Sequence, residues 1–278
     1  MKMDYYNIVF SDIDGTLLDS ELRLSPGTKR KVGELCRCGI PFVLASARKP
    51  QGIRMLHQEL GIRSPSICYG GALLLDSNYR PIYSKGFRQE EAYGIKKLIR
   101  ESGCGVCASA YHYDMWIVDD KRDPWVAHER AGIAQEPLEG EISRLIGKEG
   151  EIHKVSCLGK PEEIGRLHSF LERELQGFLI VKSADNCLEI MHASAGKAHA
   201  ASYLCKYLGI PVRRAVAFGD HENDLELLLG MGLGVAMGNA PRKVCEAAER
   251  VTEDNDHDGV LHVLNELVFR PAHGYGLL

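Results

Sequence analysis

The chain of 278 residues lacks the features that mark a protein for a membrane, for export or for a nucleic acid. No apolar stretch approaches the ~20 residues that a membrane-spanning helix requires. The first residues show no apolar segment of a secretory signal, so we expect a cytoplasmic protein. No run of lysine and arginine is long enough to suggest a basic patch, and the net charge is -4, so we expect neither nucleic acid nor membrane as a partner.

The nine cysteines lack the paired spacing that is typical of a structural zinc site. Two residues separate Cys104 from Cys107, but only one separates Cys36 from Cys38. A structural zinc site usually combines two well-spaced pairs. Most other cysteines lie in apolar segments, where a free thiol packs as a small hydrophobic group. We therefore expect reduced thiols, with zinc as the minor alternative.

The first third of the chain alternates strand and helix patterns. A strand is predicted over Asn7–Ser11, a helix from Pro26 to about Arg37, and a further apolar strand over Ile40–Ala45. These apolar runs do not alternate with polar residues, which indicates strands that are covered on both faces. We therefore predict an α/β fold with a doubly wound, Rossmann-like parallel sheet.

The middle of the chain has a different pattern. Turn residues at Asp76–Asn78 separate two hairpin arms, and residues 88–183 follow an α+β order of helices and strands. The alternating pattern returns after Cys187–Met191. We predict a discontinuous α/β catalytic core over residues 1–81 and 187–278, with an inserted α+β cap domain over residues 82–186 that governs substrate specificity.

Four polar clusters follow predicted strands or open a predicted helix. They are Asp12 with Asp14, Ser46 with Arg48, Lys197, and the segment Gly219–Asp224. Taken singly, each has an ordinary explanation as a turn, a helix cap or a solvated residue. In an open parallel sheet, however, ligands bind beyond the carboxyl ends of the strands, which is where we expect these clusters to lie.

Asp12 and Asp14 leave the same face of a strand, because side chains alternate. Two carboxylates at so short a spacing resist joint ionisation, unless a cation neutralises them or one of them carries a proton. The clusters together supply a carboxylate nucleophile, further carboxylates for Mg²⁺, and a hydroxyl and a lysine for phosphate oxygens. These are the parts that a phosphoryl-transfer site needs.

The order of these motifs resembles the haloacid dehalogenase superfamily of phosphohydrolases. The resemblance rests on Asp12-Ile13-Asp14-Gly15-Thr16, on Ser46, on Lys197 and on Gly219-Asp220-x-x-Asn223-Asp224. Further matches at Gly234–Ala240, at Val251-Thr252 and at Asp258–Val260 resemble the Cof-type subfamily, which carries a type IIB cap. The resemblance implies a Mg²⁺-dependent phosphatase that hydrolyses a small phosphate monoester, either a sugar phosphate or a cofactor phosphate.

The resemblance also implies roles for the catalytic pair. Asp12 would attack phosphorus and form a phospho-aspartate. Asp14 would protonate the leaving alcohol, later deprotonate water, and place its backbone carbonyl on Mg²⁺. The carboxylate of Asp220 would bind Mg²⁺ directly, and Asp224 would bind it or hold its waters.

The remaining expected contacts involve the substrate. Ser46 and Lys197 would bind the phosphoryl group, and Asn223 would orient Lys197 or phosphate. The family usually has Asn-Gly-Ala where this chain has Gly70-Gly71-Ala72. The candidate substrate contacts are Arg48, Gly70, Gly71, Lys154, Lys182 and His221. The alternatives are a phosphosugar mutase of the same superfamily and a non-catalytic phosphoryl-sensing protein.

Overall fold

The computed structural model describes residues 5–133 and 135–272. The chain divides into unit 1, comprising Met1–Tyr83 and Gly196–Leu278, and unit 2, comprising Ser84–Ala195. Residues 1–4, on which part of the expectation about an export signal rests, lie outside the described residues.

The secondary structure of the described residues contains strands, α-helices and short 3₁₀ helices. The strands are β1 Ile8–Ser11, β2 Phe42–Ala45, β3 Ser66–Cys68, β4 Leu73–Leu75, β5 Pro81–Ser84, β6 Val106–His112, β7 Met115–Val118, β8 Leu138–Glu139, β9 Lys154–Gly159, β10 Phe178–Ala184, β11 Cys187–His192, β12 Ala215–Gly219, β13 Leu233–Ala236 and β14 Arg250–Val251. The α-helices are α1 Pro26–Arg37, α2 Pro50–Leu60, α3 Gln89–Glu101, α4 Pro124–Ile133, α5 Ile142–Ile146, α6 Pro161–Glu174, α7 Lys197–Tyr207, α8 Leu225–Gly230, α9 Arg242–Ala247 and α10 Gly259–Glu266. The 3₁₀ helices are Tyr69–Gly71, Val212–Arg214, Glu222–Asp224 and Asn255–His257.

An eight-stranded sheet with the order β14-β13-β12-β1-β2-β3-β4-β5 forms the centre of unit 1. The pairs from β14 to β3 are parallel, and β3 pairs with β4 in the antiparallel sense. The residues of β1 and β2 are buried, as expected for strands that are covered on both faces. This arrangement confirms the predicted α/β fold with a parallel-sheet core.

Helix α1 illustrates how the local sequence sets the element boundaries in unit 1. The Ser25 side chain accepts a hydrogen bond from the Thr28 backbone N–H at 3.1 Å, and Pro26 occupies the first turn. The hydroxyl satisfies an N–H group that has no partner within the helix, and proline at this position loses no hydrogen bond. The helix therefore begins where the sequence predicts.

Unit 2 contains a second sheet with the strand order β10-β11-β9-β6-β7-β8. Strand β11 pairs in the antiparallel sense with both β10 and β9. Because β11 belongs to this sheet, residues 187–195 lie in unit 2, whereas the sequence pattern predicts that the core resumes at residue 187. One face of the sheet packs on α3 and α6 through a core that includes Ile95, Val155 and Leu167.

Two further features of the described residues concern helix length and the cysteines. No helix among them is both long and apolar enough to cross a membrane. All nine cysteines are described, and all are free thiols, with Cys68, Cys157 and Cys205 buried.

Candidate active site

Three neighbouring strands of unit 1 bring the predicted polar residues to one edge of the sheet. Strand β1 lies between β12 and β2, and Ser11 is in register with Phe218 on one side and Leu44 on the other. Asp12 and Ser46 follow directly after β1 and β2, and Asp220 follows directly after β12. Parallel pairing therefore places residues that are far apart in sequence at the same edge.

The side chain of Lys197 forms ion pairs with two carboxylates at this edge of the sheet. Its Nζ lies 2.9 Å from Oδ1 of Asp12 and 2.7 Å from Oδ1 of Asp224. Lys197 is 3% exposed and begins α7, after Gly196 as the N-cap. The ammonium group is thus a buried cation shared by two carboxylates.

The burial of this group changes its protonation equilibria. Burial raises the pKa of Asp12 to about 7; Lys197 opposes this shift, and Asp224 adds to it. Burial by itself lowers the pKa of Lys197, but Asp12 and Asp224 outweigh burial and raise that pKa above its ordinary value. Lys197 therefore stays charged. The ionised form of Asp12 is disfavoured by burial, and Lys197 offsets this effect only in part.

Asp220 is held by the turn that follows Asp14. The Thr16 hydroxyl donates a hydrogen bond to Asp220 Oδ1 at 2.6 Å. Gly15 has φ of +79°, and a Cβ at this position would lie 2.4 Å from Asp220 Oδ2. Burial raises the pKa of Asp220, although the Thr16 hydrogen bond opposes that shift. Glycine is required here both by the backbone conformation and by the close carboxylate.

Asp224 is fully buried, and both of its carboxylate oxygens are engaged. Oδ1 accepts from Lys197, and Oδ2 accepts from the backbone N–H groups of Asp220 and His221 at 3.3 and 3.2 Å. A Cβ on Gly219 would lie 2.5 Å from the Asp224 Cβ, so glycine at the end of β12 allows this close packing. Asp224 therefore fixes both Lys197 and the turn that carries Asp220.

Three carboxylates in this region have the spacing that a metal ion requires. Ligand atoms of Asp12, Asp220 and Asp224 lie within 4.8 Å of one another. Hard carboxylate oxygens suit a divalent cation such as Mg²⁺. The raised pKa values of Asp12 and Asp220 indicate that these carboxylates gain from such a charge. The residues present therefore fit a divalent metal.

Asp14 lies at the same edge, but its carboxylate faces a different partner. Arg48 Nε donates to Asp14 Oδ2 at 2.9 Å, and Arg48 Nη2 pairs with Oδ1. The Asp14 carboxylate is not one of the three in the acidic cluster. The expected contact of its backbone carbonyl with Mg²⁺ stays a prediction.

Ser46 is buried directly beside this ion pair. Its Oγ accepts a hydrogen bond from the Arg48 backbone N–H at 3.2 Å, and its carbonyl accepts from Gly70 N–H at 2.9 Å. A single turn thus connects the hydroxyl predicted to bind phosphate with Arg48.

Backbone conformation and close packing explain the two glycines that follow β3, and the sequence pattern alone does not reveal this. Tyr69, Gly70 and Gly71 have φ values of 52°, 61° and 110°. A Cβ on Gly71 would lie 2.3 Å from the carbonyl oxygen of Gly196, which immediately precedes Lys197. Gly71 therefore allows this turn to pack against the start of α7, and a contact with substrate is not needed to explain it.

Asn223 and His221 lie on the turn after β12, and both are exposed. The Asn223 side chain makes no hydrogen bond to another described residue, so Asp12 and Asp224, rather than Asn223, position Lys197 in this structure. The predicted contact of Asn223 with phosphate, and that of His221 with substrate, remain predictions.

Nearly the whole chain matches the model of one protein family. The family model described as haloacid dehalogenase-like hydrolase matches residues 9–264. The chain belongs to this family. The resemblance identified from the sequence motifs is thereby confirmed.

Individual relatives agree with the family assignment. A Haemophilus influenzae protein named "Putative phosphatase" is 36% identical over 263 residues, 94% of this chain and 98% of the relative. An HMP-PP phosphatase of Yersinia pseudotuberculosis is 25% identical, over 96% of this chain and 97% of the relative. A haloacid dehalogenase-like hydrolase from Bacteroides thetaiotaomicron has a TM-score of 0.83 at 26% identity, over 94% of this chain and 99% of that structure. This haloacid dehalogenase-like hydrolase is therefore a phosphoric monoester hydrolase.

Two substrate contacts expected for the hydrolase lie on the second sheet. Lys154 is 8% exposed, and its Nζ pairs with Glu189 Oε1 at 2.6 Å. Lys182 is more exposed and pairs with Asp185 at 2.9 Å. Lys154 is thus a buried partner of a carboxylate rather than a solvated lysine, a pairing that only the register of β9 with β11 reveals.

Two asparagines of the hydrolase make contacts that the sequence motifs do not predict. Asn239 Nδ2 donates to the Gly15 carbonyl at 2.9 Å, and Asn239 Oδ1 accepts from the Asn255 backbone N–H at 3.2 Å. Asn255 Nδ2 donates to the Leu18 carbonyl at 2.9 Å. These carboxamides attach the turn after Asp14 to the segments that follow β13 and β14. Asn239 lies within the Gly234–Ala240 motif, which was the available signal.

Proposed function

We propose that the protein is a Mg²⁺-dependent phosphatase that hydrolyses a small phosphate monoester through a phospho-aspartate on Asp12. The observation that carries the proposal is the buried contact between Asp12 and Lys197, beside Asp220 and Asp224. A buried carboxylate at the end of a central strand, with a cation beside it, has the position that a nucleophile toward phosphorus needs. The substrate class is a sugar phosphate or a cofactor phosphate.

In the first half-reaction, an oxygen of Asp12 forms a bond to phosphorus while the bond from phosphorus to the ester oxygen breaks. Lys197 and the Ser46 hydroxyl bind phosphoryl oxygens and offset the charge that gathers on them. Asp14 donates a proton to the departing alkoxide, so the product leaves as a neutral alcohol.

In the second half-reaction, a water molecule attacks the phosphorus of the phospho-aspartate. Asp14, now ionised, accepts the proton from this water. The bond between phosphorus and Asp12 breaks, inorganic phosphate forms, and the Asp12 carboxylate is restored. A single residue thus serves as acid in one step and as base in the next.

The residues that would hold the metal are Asp12, Asp220 and the backbone carbonyl of Asp14, with Asp224 as a further ligand or as an acceptor for metal-bound water. When bound, Mg²⁺ neutralises charge on the carboxylates and on the phosphoryl oxygens. Asp224 already accepts hydrogen bonds at both oxygens, which favours a role in positioning Lys197 over direct metal binding.

We also propose that the inserted domain selects the substrate. The four catalytic clusters all lie in unit 1, and the sheet of unit 2 contains none of them. Lys182 is the more accessible candidate contact, because Lys154 is buried against Glu189. Relatives such as the Yersinia HMP-PP phosphatase support a small phosphorylated metabolite as the substrate.

A phosphatase screen tests the proposal. Sugar phosphates, nucleotides, and flavin and pyridoxal phosphates are incubated with the protein in Mg²⁺ or in EDTA, and inorganic phosphate is measured. We expect Mg²⁺-dependent release from a subset of the esters, and a transient phosphoryl adduct on Asp12 detectable by mass spectrometry. An isomeric sugar phosphate in place of inorganic phosphate would identify a mutase. Binding without turnover would identify a phosphoryl sensor.

A further inference from the structure

A single side chain occupies both oxygens of the Asp14 carboxylate. Arg48 Nε donates to Oδ2 at 2.9 Å, and Arg48 Nη2 donates to Oδ1 at 2.5 Å. The Asp14 side chain is 48% exposed and that of Arg48 is 32% exposed. Asp14 is therefore held in a two-pronged ion pair at the rim of the site, outside the acidic cluster.

The main chain of Arg48 is fixed beside the proposed phosphate-binding hydroxyl. Its N–H donates to Ser46 Oγ at 3.2 Å, and its carbonyl accepts from Tyr69 N–H at 3.1 Å. Tyr69 is fully buried, so this attachment is firm. The guanidinium group, rather than the main chain, is the part of Arg48 that can change partner.

The ion pair conflicts with the proposed task of Asp14. A carboxylate with both oxygens bound to a guanidinium is held toward Arg48, and it offers only its remaining lone pairs to a leaving oxygen or a water. A guanidinium presents the same planar pair of N–H groups to a phosphate as to a carboxylate. A phosphoryl group that binds at Ser46 would therefore compete with Asp14 for Arg48.

We propose that Arg48 is a positioning residue that holds Asp14 in a resting arrangement until a phosphoryl group takes over its guanidinium. Binding of the phosphoryl group then releases Asp14 for proton transfer, so that Asp14 acts only in an occupied site. This inference rests on the proposed function, because it takes Ser46 as part of the phosphate site.

The test is a thermodynamic cycle with inorganic phosphate as the probe, measured by calorimetry on the full chain in Mg²⁺. The four proteins are the unaltered chain, Asp14→Asn, Arg48→Met and the double variant. In the unaltered chain phosphate must break the ion pair, whereas in Asp14→Asn no charged pair exists. We expect Asp14→Asn to bind phosphate up to about fivefold more tightly, because a half-exposed ion pair contributes a free energy that corresponds to this ratio of affinities. In the Arg48→Met background we expect this gain to disappear.

Two results would overturn the proposal. Removing a negative charge near an anion can tighten binding without any help from Arg48, and the same gain would then occur in both backgrounds. Absence of a gain in Asp14→Asn, including absence of phosphate binding by all four proteins, also contradicts the proposal. Arg48→Lys keeps the charge but loses the planar pair of donors, so we expect Asp14→Asn to yield a smaller gain in that background.

Arg63→Met serves as the matched control. Arg63 is exposed, lies just after α2 and belongs to the same unit, but it makes no hydrogen bond or ion pair to another described residue. We expect its phosphate affinity to equal that of the unaltered chain. This test and the test of the proposed function can fail independently. Phosphate affinity reports the coupling between Asp14 and Arg48 even in a chain that hydrolyses no ester.

Discussion

The ammonium group of Lys197 lies 2.9 Å from the carboxylate of Asp12, and both side chains are almost completely buried. Removing two charges from water is costly, and their attraction offsets this cost only when the geometry is close. Asp224 contributes a second carboxylate to the same ammonium group at 2.7 Å. One cation is therefore shared by two anions, which leaves net negative charge that a divalent metal would neutralise.

Replacing Asp12 by asparagine should abolish turnover while preserving the fold. An amide has nearly the same size as a carboxylate but cannot attack phosphorus. Because burial raises the pKa of Asp12, a neutral group at this position should not lower the thermal stability of the metal-free protein. The measurements are phosphate release and thermal unfolding. Appreciable hydrolysis by Asp12→Asn would contradict the covalent mechanism.

Asp12 should also make the stability of the metal-free protein depend on pH. Its pKa is about 7 in the folded protein, against an ordinary value of 3.8. Between these values the folded state keeps a proton that the unfolded chain has lost, so the Asp12 contribution to stability falls as pH rises from about 4 to about 7. Stabilisation by added Mg²⁺ should increase over the same window, because the cation favours the ionised carboxylates.

Thermal unfolding in EDTA and in Mg²⁺, followed across this pH window, measures the effect. Asp12→Asn provides the control, because it cannot titrate at this position. We expect a weaker loss of stability with rising pH in this variant than in the unaltered chain. Identical pH profiles for the two proteins would show that Asp12 does not carry the effect.

Lys197→Met should destabilise the protein as well as inactivate it. The change leaves Asp12 and Asp224 buried together without their cation, and breaking a buried pair typically costs about 3–5 kcal/mol. Adding Asp224→Asn removes one of the two uncompensated charges. We expect the double variant to recover part of the free energy of unfolding, measured by denaturant titration, but none of the activity. Recovery of activity together with stability would contradict a direct role for Lys197 in binding phosphate.

Gly15→Ala should weaken metal binding and turnover. The substitution forces a residue with a side chain to adopt φ of +79° and places Cβ 2.4 Å from Asp220 Oδ2. We expect a cost of about 1–3 kcal/mol in stability from the backbone alone, together with displacement of Asp220. Thermal unfolding measures the first effect, and calorimetric titration with Mg²⁺ measures the second.

Gly33→Ala is the matched control for Gly15→Ala. Gly33 lies inside α1, and a Cβ there would meet no atom within 4 Å. Alanine in a helix interior is favoured over glycine by about 0.5–1 kcal/mol, so this variant should be equally stable or slightly more stable. Its Mg²⁺ affinity should be unchanged. If both alanine variants behaved alike, the special position of Gly15 would be disproved.

The sequence by itself determined the fold class and the family. The reason is that local signals agree: uninterrupted apolar runs predict covered strands, and Ser25 with Pro26 marks the start of α1 as the structure has it. The ordered motifs around Asp12, Lys197 and Asp220 indicated the phosphohydrolase family, which the comparison with the family model confirms. These properties depend on neighbours along the chain or on the types of residues present.

Tertiary structure alone decided which side chains pair with which. Lys154 and Glu189 are 35 residues apart and meet only because β9 and β11 are neighbours, and this register also places residues 187–195 in unit 2. Arg48 faces Asp14 across 34 residues for a similar reason, since parallel β1 and β2 end at one edge. Such partnerships depend on strand register and on long-range packing, and a residue's type and its immediate neighbours do not encode them.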